Sequence, residues 1–151
     1  MNDLKNWKIN TRNYVKKIRR RLQLRGIQFT VEKENEIKIY FPNIGLNIIT
    51  TETPLIYAYK EYSLSDEADK ERIQRAVNNL NDVTMPGSFD FDDDTLTISC
   101  WIASPKPGAI FKTFKTGNWI LDLMTVQMQK EYEHLEALDK LAMSMQTKAK
   151  S

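Results

Sequence analysis

At 151 residues the chain has the length of one domain, a size that buries roughly 70% of the unfolded surface. Its 41% apolar content supplies a core and argues against a disordered chain. The net charge of +2 hides an asymmetry, because residues 1–25 hold nine lysines and arginines against Asp3, leaving about −6 for the remainder.

Cys100 is the one cysteine, which excludes an intrachain disulfide and suits a reducing cytoplasm. No apolar run reaches the ~18 residues of a membrane helix. No apolar core follows the basic start before Arg19, as a secretory signal requires. The expectation is a cytoplasmic protein without membrane insertion.

Leu4, Trp7, Thr11, Tyr14, Val15, Ile18 and Leu22 recur at helical spacing, with the cations mostly off the stripe, and predict a helix over about 3–25. Gly26 follows as a left-handed cap. The period then changes to two. Ile27, Phe29 and Val31 form either a strand or an extended lead-in, and Ile37, Ile39 and Phe41 form a strand. Residues 46–51 and 55–62 complete a meander, with Pro54 marking an edge, a bulge or a break.

Ser65 opens a second helix as N-cap, ahead of the stripe Ala68, Arg72, Ile73, Ala76, Val77 and Leu80. Phe89 and Phe91, the acidic turn Asp92–Asp94, and Leu96, Ile98, Cys100 and Ile102 read as a hairpin. From Ala109 a long helix carries Ile110, Phe114, Gly117, Leu121, Met124, Met128, Leu135, Leu138 and Leu141 on one stripe. Gly117, which costs about 1 kcal/mol against alanine in a helix, marks a kink, a close contact or a break. The expected architecture is α+β with the order α-βββ-α-ββ-α, an antiparallel sheet packed against helices. It forms a single domain over 1–146, and 147–151 form a disordered tail.

Reactive groups are sparse. His134 is the one histidine, and a nucleophilic arrangement would need it beside Cys100, which falls on the inward side of a strand. A calcium loop starting at Asp90 would need glycine and glutamate where Thr95 and Trp101 stand. Phosphate-loop and dinucleotide motifs are missing. No catalytic, cofactor or metal residues are assigned, and an enzyme using Asp122 beside His134 ranks last. Lys16, Lys17, Arg19, Arg20 and Arg21 are the candidates for contacting nucleic acid or another anionic ligand. Trp119, Met143 and Met145 are the candidates for a partner interface, whereas Met124 and Met128 fit core packing.

The order of elements, the segment from Ile73 to Asn81 with its Asn-x-Leu-Asn pattern, and Phe89-Asp90-Phe91-Asp92 resemble the YbjN-like family of bacterial sensory transduction regulators. That family resembles the type III secretion chaperones in fold. In residues the resemblance is confined to about 73–102, and the basic first helix departs from it. It implies a small bacterial protein without catalysis, and by likeness to the chaperones a homodimer that holds protein segments. The leading expectation is a non-catalytic, chaperone-like or regulatory module that binds a protein partner through sheet and helix surfaces, including an exposed sheet edge. The alternative is anion or nucleic-acid binding on the first helix.

Overall fold

Helix, meander, helix, hairpin and long helix follow one another in the order that the periodicity predicts. The computed structural model of the protein describes residues 2–33, 35–83 and 86–150, without side chains for 2–12 and 147–150. The side chains of Leu4, Trp7 and Thr11 therefore lie outside what is described, and of the expected disordered tail the backbone of 147–150 continues the last helix while Ser151 lies outside the described residues. The elements are α1 (Asn2–Leu24), β1 (Thr30–Lys33), β2 (Glu36–Phe41), β3 (Leu46–Thr50), β4 (Leu55–Ser63), α2 (Lys70–Asn81), β5 (Gly87–Asp92), β6 (Thr95–Ala103) and α3 (Ile110–Lys150). A single 3-10 turn, Pro107–Ala109, leads into α3. The strands form one antiparallel sheet in the order β1-β2-β3-β4-β6-β5, so the fold is α+β.

Two local details differ from the expectations, and a third decides between the alternatives left open. Four strands precede α2, because Thr30 and Val31 pair with Lys38 and Ile37 while Ile27–Phe29 remain a lead-in. Helix α2 starts later than Ser65. Asp69 is its N-cap, accepting from the Arg72 amide at 3.0 Å, while Ser65 only closes a turn to Ala68. Gly117 marks a close contact, since a Cβ there would stand 3.0 Å from the Ile102 side chain and 3.3 Å from that of Ala58.

The chain divides into two interleaved units, Met1–Lys60 with Ser99–Leu121, and Glu61–Ile98 with Asp122–Ser151. In the first unit the register aligns Ile39 with Ile48 and Ala58, and Ile37 with Thr50 and Ile56, all buried. Tyr14, Val15, Ile18 and Leu22 of α1, and Ile110, Phe114 and Leu121 of α3, complete this core. Burying a large apolar side chain stabilises by about 1.5–3 kcal/mol, which makes this apolar stripe the main support of α1. The helix ends in a Schellman motif: Ile27 N–H donates to Leu22 C=O (3.0 Å) and Gly26 N–H to Gln23 C=O (3.1 Å). Gly26 has φ +66°, the left-handed conformation that glycine adopts without a Cβ penalty.

In the second unit, Ile73, Ala76, Val77 and Leu80 of α2 are buried, as are Phe89, Leu96, Ile98 and, on α3, Met124, Met128 and Leu135. The hairpin turns through Asp93 and Asp94, both at positive φ, with the carboxylate of Asp94 paired to Lys70. Asn81 at the end of α2 donates to the Phe89 carbonyl (2.8 Å) and accepts from its amide (3.0 Å), as a neighbouring strand would. The edge strand β5 is thus partly satisfied from within the chain.

Candidate functional site

The pleat of the first unit sorts its strand residues onto two faces. Ile37, Ile39, Ile48, Ile56 and Ala58 point to the helices, so Lys38, Tyr40, Asn47, Ile49, Tyr57 and Tyr59 point the other way. Trp101 of β6 joins them. Tyr57 lies at 4.7 Å from the Trp101 ring and stacks at 5.4 Å on Tyr59. Trp101 is 60% exposed and Tyr40 58%. A groove of about 700 Å³ runs alongside, lined among others by Phe29, Lys38, Tyr40, Asn47 and Tyr59. Aromatic rings in contact, left open to water on a sheet face, have the composition of an interface centre.

Charge adds to this. The first unit holds 15 lysines and arginines against 5 acids, a net +10, and the second 7 against 15, a net −8. On the open face Lys38 pairs with Glu32 at 3.1 Å, and that hydrogen bond, with the attraction of the same carboxylate, raises its pKa.

The candidate anion contacts are placed as their spacing suggests. Lys16, Lys17, Arg19, Arg20 and Arg21 are all exposed, off the buried stripe of α1, and no ion pair among the described residues engages them. Arg21 lies over Gly108, where a Cβ would be 3.4 Å from its guanidinium. The stripe of α1 packs on the helix-covered face, so these cations lie across the sheet from Tyr57 and Trp101. Of the candidate interface residues, Trp119 is 63% exposed in the first unit, and Met143 (68%) and Met145 (63%) are exposed in the second.

Tyr40, Tyr57, Tyr59 and Trp101 were not singled out by the sequence. Their signal is the alternation itself: Tyr57 and Tyr59 sit at the outward pleat positions between the inward Ile56, Ala58 and Lys60. Lys60 is buried in spite of its charge.

The reactive groups are not assembled. Burial pushes the Cys100 thiol up to about 11, which keeps it protonated and non-nucleophilic. Asp122 and His134 are both exposed. Twelve residues separate them along α3, about 18 Å of helix rise, too far for a shared proton. Among the described residues no three histidines, cysteines or acids cluster to hold a metal. No helix of the described residues is long and apolar enough to cross a membrane.

No protein-family model matches the sequence, and no curated protein matches it. A solved structure that is similar is YbjN from E. coli, described as a proposed transcription regulator. It shares 11% identity over 78% of this chain and 89% of that one, with a TM-score of 0.47. Nothing about function passes from it to this chain.

Proposed function

We propose that the chain is a non-catalytic binding module that docks a protein partner on the open aromatic face of its basic unit. The observation that carries this reading is the contiguous set Tyr59, Tyr57 and Trp101, with Trp101 more than half exposed. Tyrosine and tryptophan give large contact areas at small entropic cost and dominate interface energetics. The +10 charge of the unit favours a partner with acidic residues around an apolar centre.

The face is better suited than the edges. Strand β1 has four residues and a bulge between Val31 and Lys33, and the Phe89 backbone of β5 is taken by Asn81. Both are the usual protections against strand addition.

Peptide display against the immobilised full chain tests the reading. Selected peptides should combine acidic and apolar residues and lose at least ten-fold in affinity on Trp101→Ala or Tyr57→Ala. Trp119→Ala should leave them bound. Binders indifferent to Trp101 and Tyr57 would sink the proposal.

A second reading has its own observation, the exposed cations of α1 without carboxylate partners among the described residues. It assigns an anionic polymer such as nucleic acid to Lys16, Lys17, Arg19, Arg20 and Arg21. Its mark is affinity that falls steeply between 50 and 200 mM salt. Failure to bind single- or double-stranded DNA or RNA at low salt removes it.

A further inference from the structure

On the helix-covered side of the basic unit, a cavity of about 320 Å³ opens beside the cap of α1, the β2–β3 turn and the first turns of α3. This is at the lower end of the range for small-ligand pockets. Its wall is an aromatic ladder. Phe41 meets Phe114 edge-on at 5.9 Å, Phe114 meets Phe111 at 5.9 Å and 88°, and the Arg25 guanidinium lies 4.0 Å over the Phe111 ring. Ile44 and Lys115 also line the cavity.

The Schellman cap explains why Arg25 is here. Its left-handed Gly26 turns the chain sharply after Arg25, so that Arg25 and Ile27 both border the cavity. The contact with Phe111 engages the positive charge but consumes none of the five guanidinium N–H donors.

The electrostatics are one-sided. No carboxylate lines the cavity, and residues 99–121 contain no acid at all. Among the described residues neither Arg25 nor Lys115 has an ion-pair partner. Two cations beside an apolar hollow complement an apolar body carrying one negative charge. A neutral ligand would gain nothing from either exposed cation, and a cationic one would be repelled.

We propose that this cavity binds a small organic monoanion, with the apolar body against Phe41, Phe111 and Phe114 and the carboxylate on Arg25 and Lys115. The body is either an aromatic ring system or a short alkyl chain. The site is on the other side of the sheet from the aromatic face and uses none of the α1 cations assigned above.

Titration calorimetry on the full chain separates these cases. The probes are 1-naphthoate, octanoate, neutral 1-naphthalenemethanol and cationic 1-naphthylmethylamine. At least one of the two carboxylates should bind ten-fold or more tighter than the alcohol, with affinity falling as salt is added, and the amine should not bind. Naphthoate above octanoate identifies an aromatic ligand, and the reverse identifies an alkyl one. Arg25→Gln and Lys115→Gln should each weaken carboxylate binding at least several-fold. Lys112→Gln, exposed and outside the cavity, should not. Ile44→Glu serves if the Arg25 variant misfolds, because Ile44 is exposed and a carboxylate at the rim should repel the ligand. Equal binding of acid and alcohol, no binding of either carboxylate at millimolar concentration, or indifference to all three rim substitutions would overturn the proposal.

Discussion

The two units carry opposite charge, and they use their cations differently. In the acidic unit the cations of α2 are engaged. Arg72, with a side chain 15% exposed, contacts Asp69, Glu136 and Asp139, and Arg75 shares Asp139 at 3.1 Å. Lys70 pairs with Asp94, and Lys140 with Glu136. In the basic unit the α1 cations point to water, with no such partner among the described residues. The basic unit is therefore held by apolar packing, and the described α1 cations lack such ties. The acidic unit adds an internal polar network to its packing.

The largest effect should come from breaking the packing of the basic unit. Ile18 is fully buried at the centre of the α1 stripe. Ile18→Ala should cost about 2–5 kcal/mol, the lost transfer energy plus a cavity, read as a lower urea midpoint. Gly117→Ala should cost less, about 1–3 kcal/mol from overpacking, despite alanine's better helix propensity. The Ile102 methyl can rotate away, but the Ala58 Cβ is fixed to the backbone and cannot. A stabilised Gly117→Ala would mean that β4 and α3 can separate freely.

These positions also show what the sequence reveals. Ile18 and the α1 stripe are legible because helical periodicity directly records which face is buried. The cap at Gly26 is legible because only a residue tolerant of positive φ fits there. The role of Gly117 stays undecided in sequence, since a glycine looks the same whether it bends a helix or admits a neighbour. Ser65 misleads because several polar residues before α2 satisfy the N-cap pattern. The winner is Asp69, whose carboxylate is placed three residues before an amide that it reaches. The cavity is beyond reach, because Phe41, Arg25 and Phe111 are far apart in the chain and meet only through register and helix placement.

In the acidic unit the polar ties can be cut singly. Asn81→Ala removes both hydrogen bonds to the Phe89 backbone and should cost about 1 kcal/mol, with faster amide exchange confined to β5 if the tie is local. Asp139→Asn should have a smaller, pH-dependent effect. Hydrogen bonds from Arg75 and then Arg72 hold the Asp139 carboxyl below its ordinary 3.8. The unfolded chain takes up this proton at higher pH than the folded one. The stabilisation is therefore present above about pH 4 and fades as pH falls through the lower folded-state value. Urea midpoints of the wild type and Asp139→Asn should differ at pH 6, and the gap should narrow as pH falls below about 4. A constant gap would mean that the carboxylate's charge is not what stabilises the network.

The smallest effect has the most informative sign. Lys16 and Arg20 stand one turn apart on α1, as do Lys17 and Arg21, and Lys16 with Arg19 and Lys17 with Arg20 are three apart. Like charges at these spacings oppose a helix by about 0.2–0.5 kcal/mol per pair, and among the described residues no acid offsets them. Replacing Lys16, Lys17, Arg19 and Arg20 by glutamine should therefore stabilise the fold slightly at low salt, with the gain shrinking as salt screens the repulsion. In the acidic unit, neutralising Asp139 should do the opposite. If the glutamine variant is instead destabilised, the α1 cations are bound to acids of the chain, and the contrast between free and engaged cations fails. If it is more stable and binds nucleic acid less, the repulsion on α1 is a cost that the fold carries for a ligand.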